Sequence, residues 1–262
     1  MAALGLLSTL LPISQTAHAQ NDLAGDFVAP AIFQAAGPTA ASIQSTVDAY
    51  RAALGDPNNA NNPGPLSSGR REINWDGGDP NIMDTTPPVT PFNVFLNTRG
   101  AQFTTPGEGL SQAAPSGLAV LFNNPTYATI FTTFSPSRLF TPVGSKVTDG
   151  SFFIPGTSGA SPATVSGFGV VFTDVDLPDG GKPHKASTLI EYFDRNGKRI
   201  FASFVPSSPG DASLSFIGIK FNDAPIASVR ITTDAVPGKN DDRRHDIVMM
   251  DDFIYGEPQI LP

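Results

Sequence analysis

The chain has 262 residues with 25 Gly, 25 Pro and no Cys; 40% are hydrophobic and 15% charged. That apolar fraction excludes a wholly disordered chain, the frequent turn formers argue against a helical bundle, and the lack of Cys removes disulfides, thiolate metal sites and cysteine nucleophiles. Sixteen basic against 24 acidic residues give a net charge of −8, which argues against nucleic acid as a partner.

Residues 1–13 form a short apolar stretch, and Ala17-His18-Ala19 fits the small-x-small pattern read by signal peptidase. Residues 1–19 are therefore expected to be a signal peptide, with Gln20 as the mature N-terminus. No later segment approaches the roughly 20 continuous apolar residues of a transmembrane span. The expected location is outside the cytoplasm, secreted or at the cell surface. An exported chain without Cys or an N-glycosylation sequon reads as bacterial.

In the next segment, 20–69, Thr39 is placed to cap a helix whose apolar positions are Ile43, Val47, Tyr50 and Leu54. Spacings of four, three and four put them on one face, and Gly55 supplies the stop. Residues 56–68 are polar and rich in turn formers, and are expected to be a mobile surface excursion.

From Arg70 the pattern changes to short β-like runs, clearest at 72–75, 167–174, 188–193, 198–205, 213–221, 227–233 and 247–255. Asn196-Gly197 between two of them is the strongest hairpin signal. Apolar groups on both faces of 198–205 suggest an inner strand. No repeat of 20–50 residues is present, which disfavours a propeller or solenoid. The expected fold is all-β, a two-sheet antiparallel jelly-roll-like β-sandwich over 70–257. The N-terminal amphipathic helix lies on its surface, and 258–262 form a tail.

The blocks REINWDG at 71–77, SRLFTPV at 137–143, SGFGVVFTDVD at 166–176, IEYFDRNG at 190–197, LSFIGIKF at 214–221 and MMDDFIYGEP at 249–258 carry a resemblance. In order and content they resemble a group of uncharacterised exported bacterial proteins, often with a sorting tail of the Pro-Glu-Pro type. That group implies export and no established activity. More loosely, the strands and the Asp-Asp-Phe at 251–253 are similar to jelly-roll carbohydrate-binding modules. There an acid on the last strand often helps hold a structural calcium.

No Gly-x-Ser-x-Gly elbow, P-loop, dinucleotide fingerprint or His-Glu-x-x-His motif occurs. After signal removal only His184 and His245 remain, which serve zinc and serine triads poorly. Carboxylates are richer. By strand alternation Asp174 and Asp176 continue the face of Phe168, Val170 and Phe172, and Asp252 shares the row of Val248, Met250 and Ile254. An ionised acid in an apolar row is costly unless it meets a cation, an Arg or backbone N–H groups. Calcium suits such acids because it accepts flexible oxygen shells. Asp174, Asp176 and Asp252 are therefore the expected calcium ligands. Pairing of the first and last strands would bring Glu72 or Asp76 near Asp252. Arg71, Arg230 and Arg243 are the alternative partners for these carboxylates.

Trp75, Tyr127 and Tyr192 are the candidate rings for stacking on a sugar. Two function classes follow. The preferred one is a non-enzymatic exported protein that binds carbohydrate or extracellular matrix, or serves an envelope structure, with calcium stabilising it. The other is a glycan-active hydrolase using a carboxylate pair on a β-sandwich, for which no catalytic residue is assigned.

Overall fold

The computed structural model describes residues 29–76, 87–177, 188–242 and 244–261. The expected signal peptide, the start at Gln20, His184 and Arg243 lie outside them. The described chain opens with strand β1 (Ala31–Gly37) and helix α1 (Ala40–Leu54), followed by β2 (Arg70–Ile73) and α2 (Leu96–Arg99). Next come β3 (Ala101–Thr104), β4 (Gly109–Ala113), α3 (Pro115–Leu121), α4 (Tyr127–Ile130), β5 (Leu139–Val143) and β6 (Val147–Phe152). The remaining strands are β7 (Ala163–Thr164), β8 (Gly167–Thr173), β9 (Leu189–Phe193), β10 (Arg199–Phe204), β11 (Leu214–Lys220), β12 (Ser228–Thr232), β13 (Met249–Gly256) and β14 (Gln259–Ile260).

Two antiparallel sheets pack face to face. The larger runs β1-β11-β8-β13-β5-β4, and β2 also pairs with β13; the smaller runs β10-β9-β12-β6-β3. Between them lies the main core, including Phe103, Phe140, Phe152, Phe168, Phe172, Phe253 and Tyr255. β8, β11 and β13 sit centrally and are covered on both faces, which is why their sequences are near-continuous apolar runs. The outer face of the large sheet carries α1, which packs on Val171, Leu214, Phe216 and Ile254.

The helix forms where its spacing predicts, with Ile43, Val47, Tyr50 and Leu54 buried. Thr39 precedes it in extended conformation, but its hydroxyl meets the Ser42 hydroxyl at 3.0 Å rather than a backbone N–H. Gly55 ends it at φ 104°, donating its N–H to Arg51 O at 3.1 Å. Tyr50 lies across Gly169 and Gly218 of the sheet; a Cβ on Gly218 would come within 2.8 Å of three Tyr50 ring atoms. Two bare glycines thus make the groove that seats the helix.

Three expectations change. The segment before the sandwich contributes β1, which extends the large sheet along β11. β10 is the edge strand of the small sheet rather than an inner one, and none of its residues is fully buried. Residues 56–68 are tied down by polar bonds, since the Arg71 guanidinium holds Ala60 O and Asn62 O, both at 2.7 Å. Arg71 itself is fully buried against Glu257, with Nε–Oε2 2.6 Å and Nη2–Oε1 2.7 Å. Glu257 also accepts from Asn59 Nδ2 (2.8 Å) and the Leu66 amide (3.1 Å). One ion pair therefore orders a loop that has little apolar surface to bury.

Candidate functional site

The three candidate stacking rings are core side chains. Trp75 is fully buried, stacks on Phe140 at 3.8 Å with an interplanar angle of 4°, and donates its indole N–H to Asp251 O at 2.8 Å. Tyr192 is buried in the main core, its hydroxyl on Phe168 O at 3.3 Å. Tyr127, the first residue of α4, packs against Phe122 and Phe131, its hydroxyl on Lys239 O at 2.7 Å. None of the three turns a ring face outward, because each satisfies its polar tip on a backbone carbonyl from inside.

The expected calcium ligands divide between two places. β2 pairs with β13, Glu72 opposite Ile254, and this brings Glu72 and Asp76 to Asp252 as the pairing of first and last strands predicts. The register between β13 and β8 slips between Met250 and Phe253, so Asp251 and Asp252 sit on a bulge and both are buried. The Ser135 hydroxyl lies 2.6 Å from Asp252 Oδ1, 3.1 Å from Asp76 Oδ2 and 3.4 Å from Asp251 Oδ1. One hydroxyl proton serves a single acceptor, so a proton on one of the carboxyls relieves this crowding. Burial pushes Asp251 well above the ordinary carboxyl range, and the Asp252 charge pushes it further. Its Oδ2 accepts the Phe134 amide at 2.5 Å. Arg51 of α1 reaches Glu72 at 2.9 Å and Asp252 at 3.3 Å. The arginine that meets these acids is thus on the helix. Arg71 is taken by Glu257, and Arg230 by Asp149. The junction pins α1, β2, β13 and the 134–138 loop together.

Asp174 and Asp176 lie away from it, at the end of the sandwich where β8 stops and β11 and β13 begin. The alternation that aligned them with Phe172 fails because Asp174 takes a left-handed backbone, φ 67°. Asp174 is fully buried, and neither carboxyl oxygen has a hydrogen-bond partner among the described residues. Its charged neighbours are Asp241, Asp176, Asp246 and Asp211, a different set from those around Asp252. Desolvation first, and those acids next, push Asp174 up to about 9. Asp246 is raised to about 7 and Asp241 to about 6, in each case chiefly by burial. Asp246 accepts the amides of Asp176 and Leu177, and Asp241 Oδ1 accepts that of Ile247 at 2.9 Å. A cavity of about 480 Å³ opens here, lined by Thr126, Ile130, Asp211, Asn240, Asp241 and Asp242. Among the described residues, no three acidic or histidine side chains are gathered tightly enough to hold an ion by themselves. Sequence reasoning placed none of Asp211, Asp241 and Asp246 in a site. Only the folded strand ends bring the three together.

A second pocket, of about 390 Å³, lies at the other end, around the β9–β10 hairpin. Its lining includes Asp194, Arg195, Asn196, Asp223 and Gln259, beside the apolar Pro225 and Ile260. Asp194 builds the turn, its Oδ1 accepting the amides of Asn196 and Lys198, both at 2.9 Å. Gly197 supplies the positive φ of 73°. The hairpin signal found the turn. The pocket also needs the 223–225 loop and β14, which no local pattern joins to it.

Among the described residues no helix is long and apolar enough to cross a membrane. No family model matches the chain, and no curated protein matches it. Among solved structures, it is similar to the enzymatically active domain of tailspike protein 4 of bacteriophage CBA120. That match has 12% identity and a TM-score of 0.29, over 63% of this chain and 20% of that one. It is also similar to a histidine mutant of the lectin binding domain of lectinolysin complexed with Lewis b, at 9% identity and TM-score 0.27, over 57% of this chain and 92% of that one. The chain thus spans about a fifth of the tailspike chain, and at these TM-scores neither likeness carries an argument about function.

Proposed function

We propose that the protein is a non-enzymatic binding protein of the cell exterior whose ligand is a carbohydrate, held in the pocket at the β9–β10 hairpin. The observation that carries the reading is the chemistry of that pocket. Carboxylates, a guanidinium and two amides stand beside Pro225 and Ile260, the latter 66% exposed. Sugar hydroxyls donate and accept at once, so they suit amides flanked by carboxylates, while sugar C–H faces suit an apolar wall. The apolar stretch at 1–13 and Ala17-His18-Ala19 support the exterior location.

The hydrolase reading has one observation in its favour: two carboxylates, Asp194 and Asp223, line the same pocket. Against it, Asp194 Oδ1 is already engaged as the acceptor of two turn amides, which commits it to building the hairpin. The test is binding of the full chain to a glycan array, followed by calorimetry on the retained glycans. Asn196→Ala and Asp223→Ala are expected to weaken binding about tenfold or more, the cost of one or two lost polar contacts. Absence of glycan binding, or binding indifferent to both substitutions, would refute the assignment. Turnover of a bound glycan that Asp223→Asn abolishes would establish the hydrolase instead.

A further inference from the structure

We propose that Asp174 and Asp241, with Asp176 and Asp211 beside them, form a binding site for a hard divalent cation, calcium in preference to magnesium. The site is independent of the hairpin pocket and lies at the opposite end of the sandwich.

The decisive feature is Asp174. Its backbone is fixed, the amide donating to Ser213 O at 3.0 Å, and the Ser208 amide donating to Val175 O at 2.8 Å on the following residue. The side chain is therefore held inside, with no exposed surface and, among the described residues, no hydrogen-bond partner for either carboxyl oxygen. Protonation would not cure this. A neutral carboxyl still needs an acceptor for its O–H and a donor for its carbonyl, and an orphaned buried polar group is rare. A cation satisfies both oxygens at once.

The surroundings select for positive charge. Among the described residues, the charged groups that act on Asp174 are all carboxylates: Asp241 first, then Asp176, Asp246 and Asp211. Some of these are already committed, which frames the site. Asp246 faces the amides of Asp176 and Leu177, and Asp176 Oδ1 accepts the Gly210 amide at 2.7 Å. Asp241 and Asp211 face the cavity of about 480 Å³ that adjoins them, giving an ion a way in and room for its waters. Because no three carboxylates among the described residues close on one point, water completes the shell in this proposal. A loose, mixed oxygen shell of that kind is tolerated by calcium, whereas magnesium demands near-ideal octahedral geometry. The same openness predicts an affinity of about 10⁻⁴–10⁻³ M, the range of weakly binding exterior modules.

The experiment is calorimetric titration of chelator-treated full chain with calcium chloride to about 10 mM, with magnesium chloride in parallel, and with denaturant unfolding in both ions. Wild type is expected to bind calcium saturably, with an unfolding equilibrium shifted about elevenfold at ten times Kd. Asp174→Asn, which the left-handed backbone tolerates, and Asp241→Asn are expected to abolish the calcium response. Asp252→Asn, at the separate junction, is expected to keep it. Should Asp174→Asn fail to fold, Asp211→Asn at the exposed rim still reports, with binding weakened several-fold. No saturable calcium binding, or binding unchanged in the Asp174, Asp241 and Asp211 variants, overturns the proposal. So does an Asp174→Asn protein that is more stable than wild type whatever the calcium, since that marks Asp174 as a buried neutral acid.

Discussion

Glu257→Ala tests whether one buried ion pair holds the polar loop at 56–68. In the intact protein Glu257 receives four hydrogen bonds: two from Arg71, one from Asn59 and one from the Leu66 amide. Removing it leaves the Arg71 guanidinium with no counter-charge in a fully buried position. Breaking a buried pair from one side costs about 3–5 kcal/mol, because the surviving charge remains desolvated. The loop should loosen as well, since Arg71 in turn holds Ala60 O and Asn62 O. Urea unfolding measures the first effect, and limited proteolysis, with cleavage mapped to 56–68, measures the second. Glu257→Gln should fall between, since it keeps acceptor capacity but loses the charge. A cost for Glu257→Ala under about 1 kcal/mol, the scale of an exposed pair, together with an unchanged cleavage pattern, would refute the reasoning.

Two further outcomes follow from the packing. Gly218→Val places a side chain where even a Cβ meets the Tyr50 ring at 2.8 Å, so it should destabilise by about 1–3 kcal/mol and lift α1 from the sheet; an unchanged urea midpoint would contradict the close approach. The Asp251 carboxyl is raised from 3.8, first by burial and then by Asp252, among Arg51, Glu72, Asp76 and Ser135. A raised acid contributes stability below its ordinary value and loses it as pH climbs through the raised one. Chelator-treated protein is therefore expected to weaken as pH climbs from the ordinary carboxyl value through the raised one, with a shallower slope in Asp251→Asn. Stability that rises over that interval would reverse the sign.

Much of the fold was legible because it rests on local pattern. The four-three-four spacing of α1 fixed its buried face, and Asn196-Gly197 marked the hairpin. β8, β11 and β13 were visible as apolar runs. β1, β3, β4, β5, β6 and β7 were not singled out. Segments such as AQFT and GLSQA carry few β-branched residues, and sheet partners distant in the chain hold them as strands. The aromatic candidates were misleading for a related reason. Trp75 looks like a binding ring in sequence, and only the positions of Phe92, Phe95, Phe140 and Phe253 around it show that it is core. Parity failed at two places for identifiable causes: a left-handed residue at Asp174 and a bulge at Asp251-Asp252.

The same packing explains where function can sit on this scaffold. The space between the sheets is filled by aromatic rings, and α1 closes part of the outer face of the large sheet, so the strand ends are left. β8 and β11 run antiparallel in register from Leu214 opposite Thr173 to Lys220 opposite Gly167. Asp174 and Asp211 therefore lie beyond one end of that pair, and Asp223 beyond the other. Seven residues of strand at roughly 3.4 Å each put more than about 20 Å between the acidic cavity and the hairpin pocket. Sites so far apart, with no shared side chain, respond to substitution independently. A variant at Asp174 that altered glycan binding would have to act through the strands themselves, and loss of fold stability would reveal it. The two ends can thus be tested separately, and failure at one says nothing against the other.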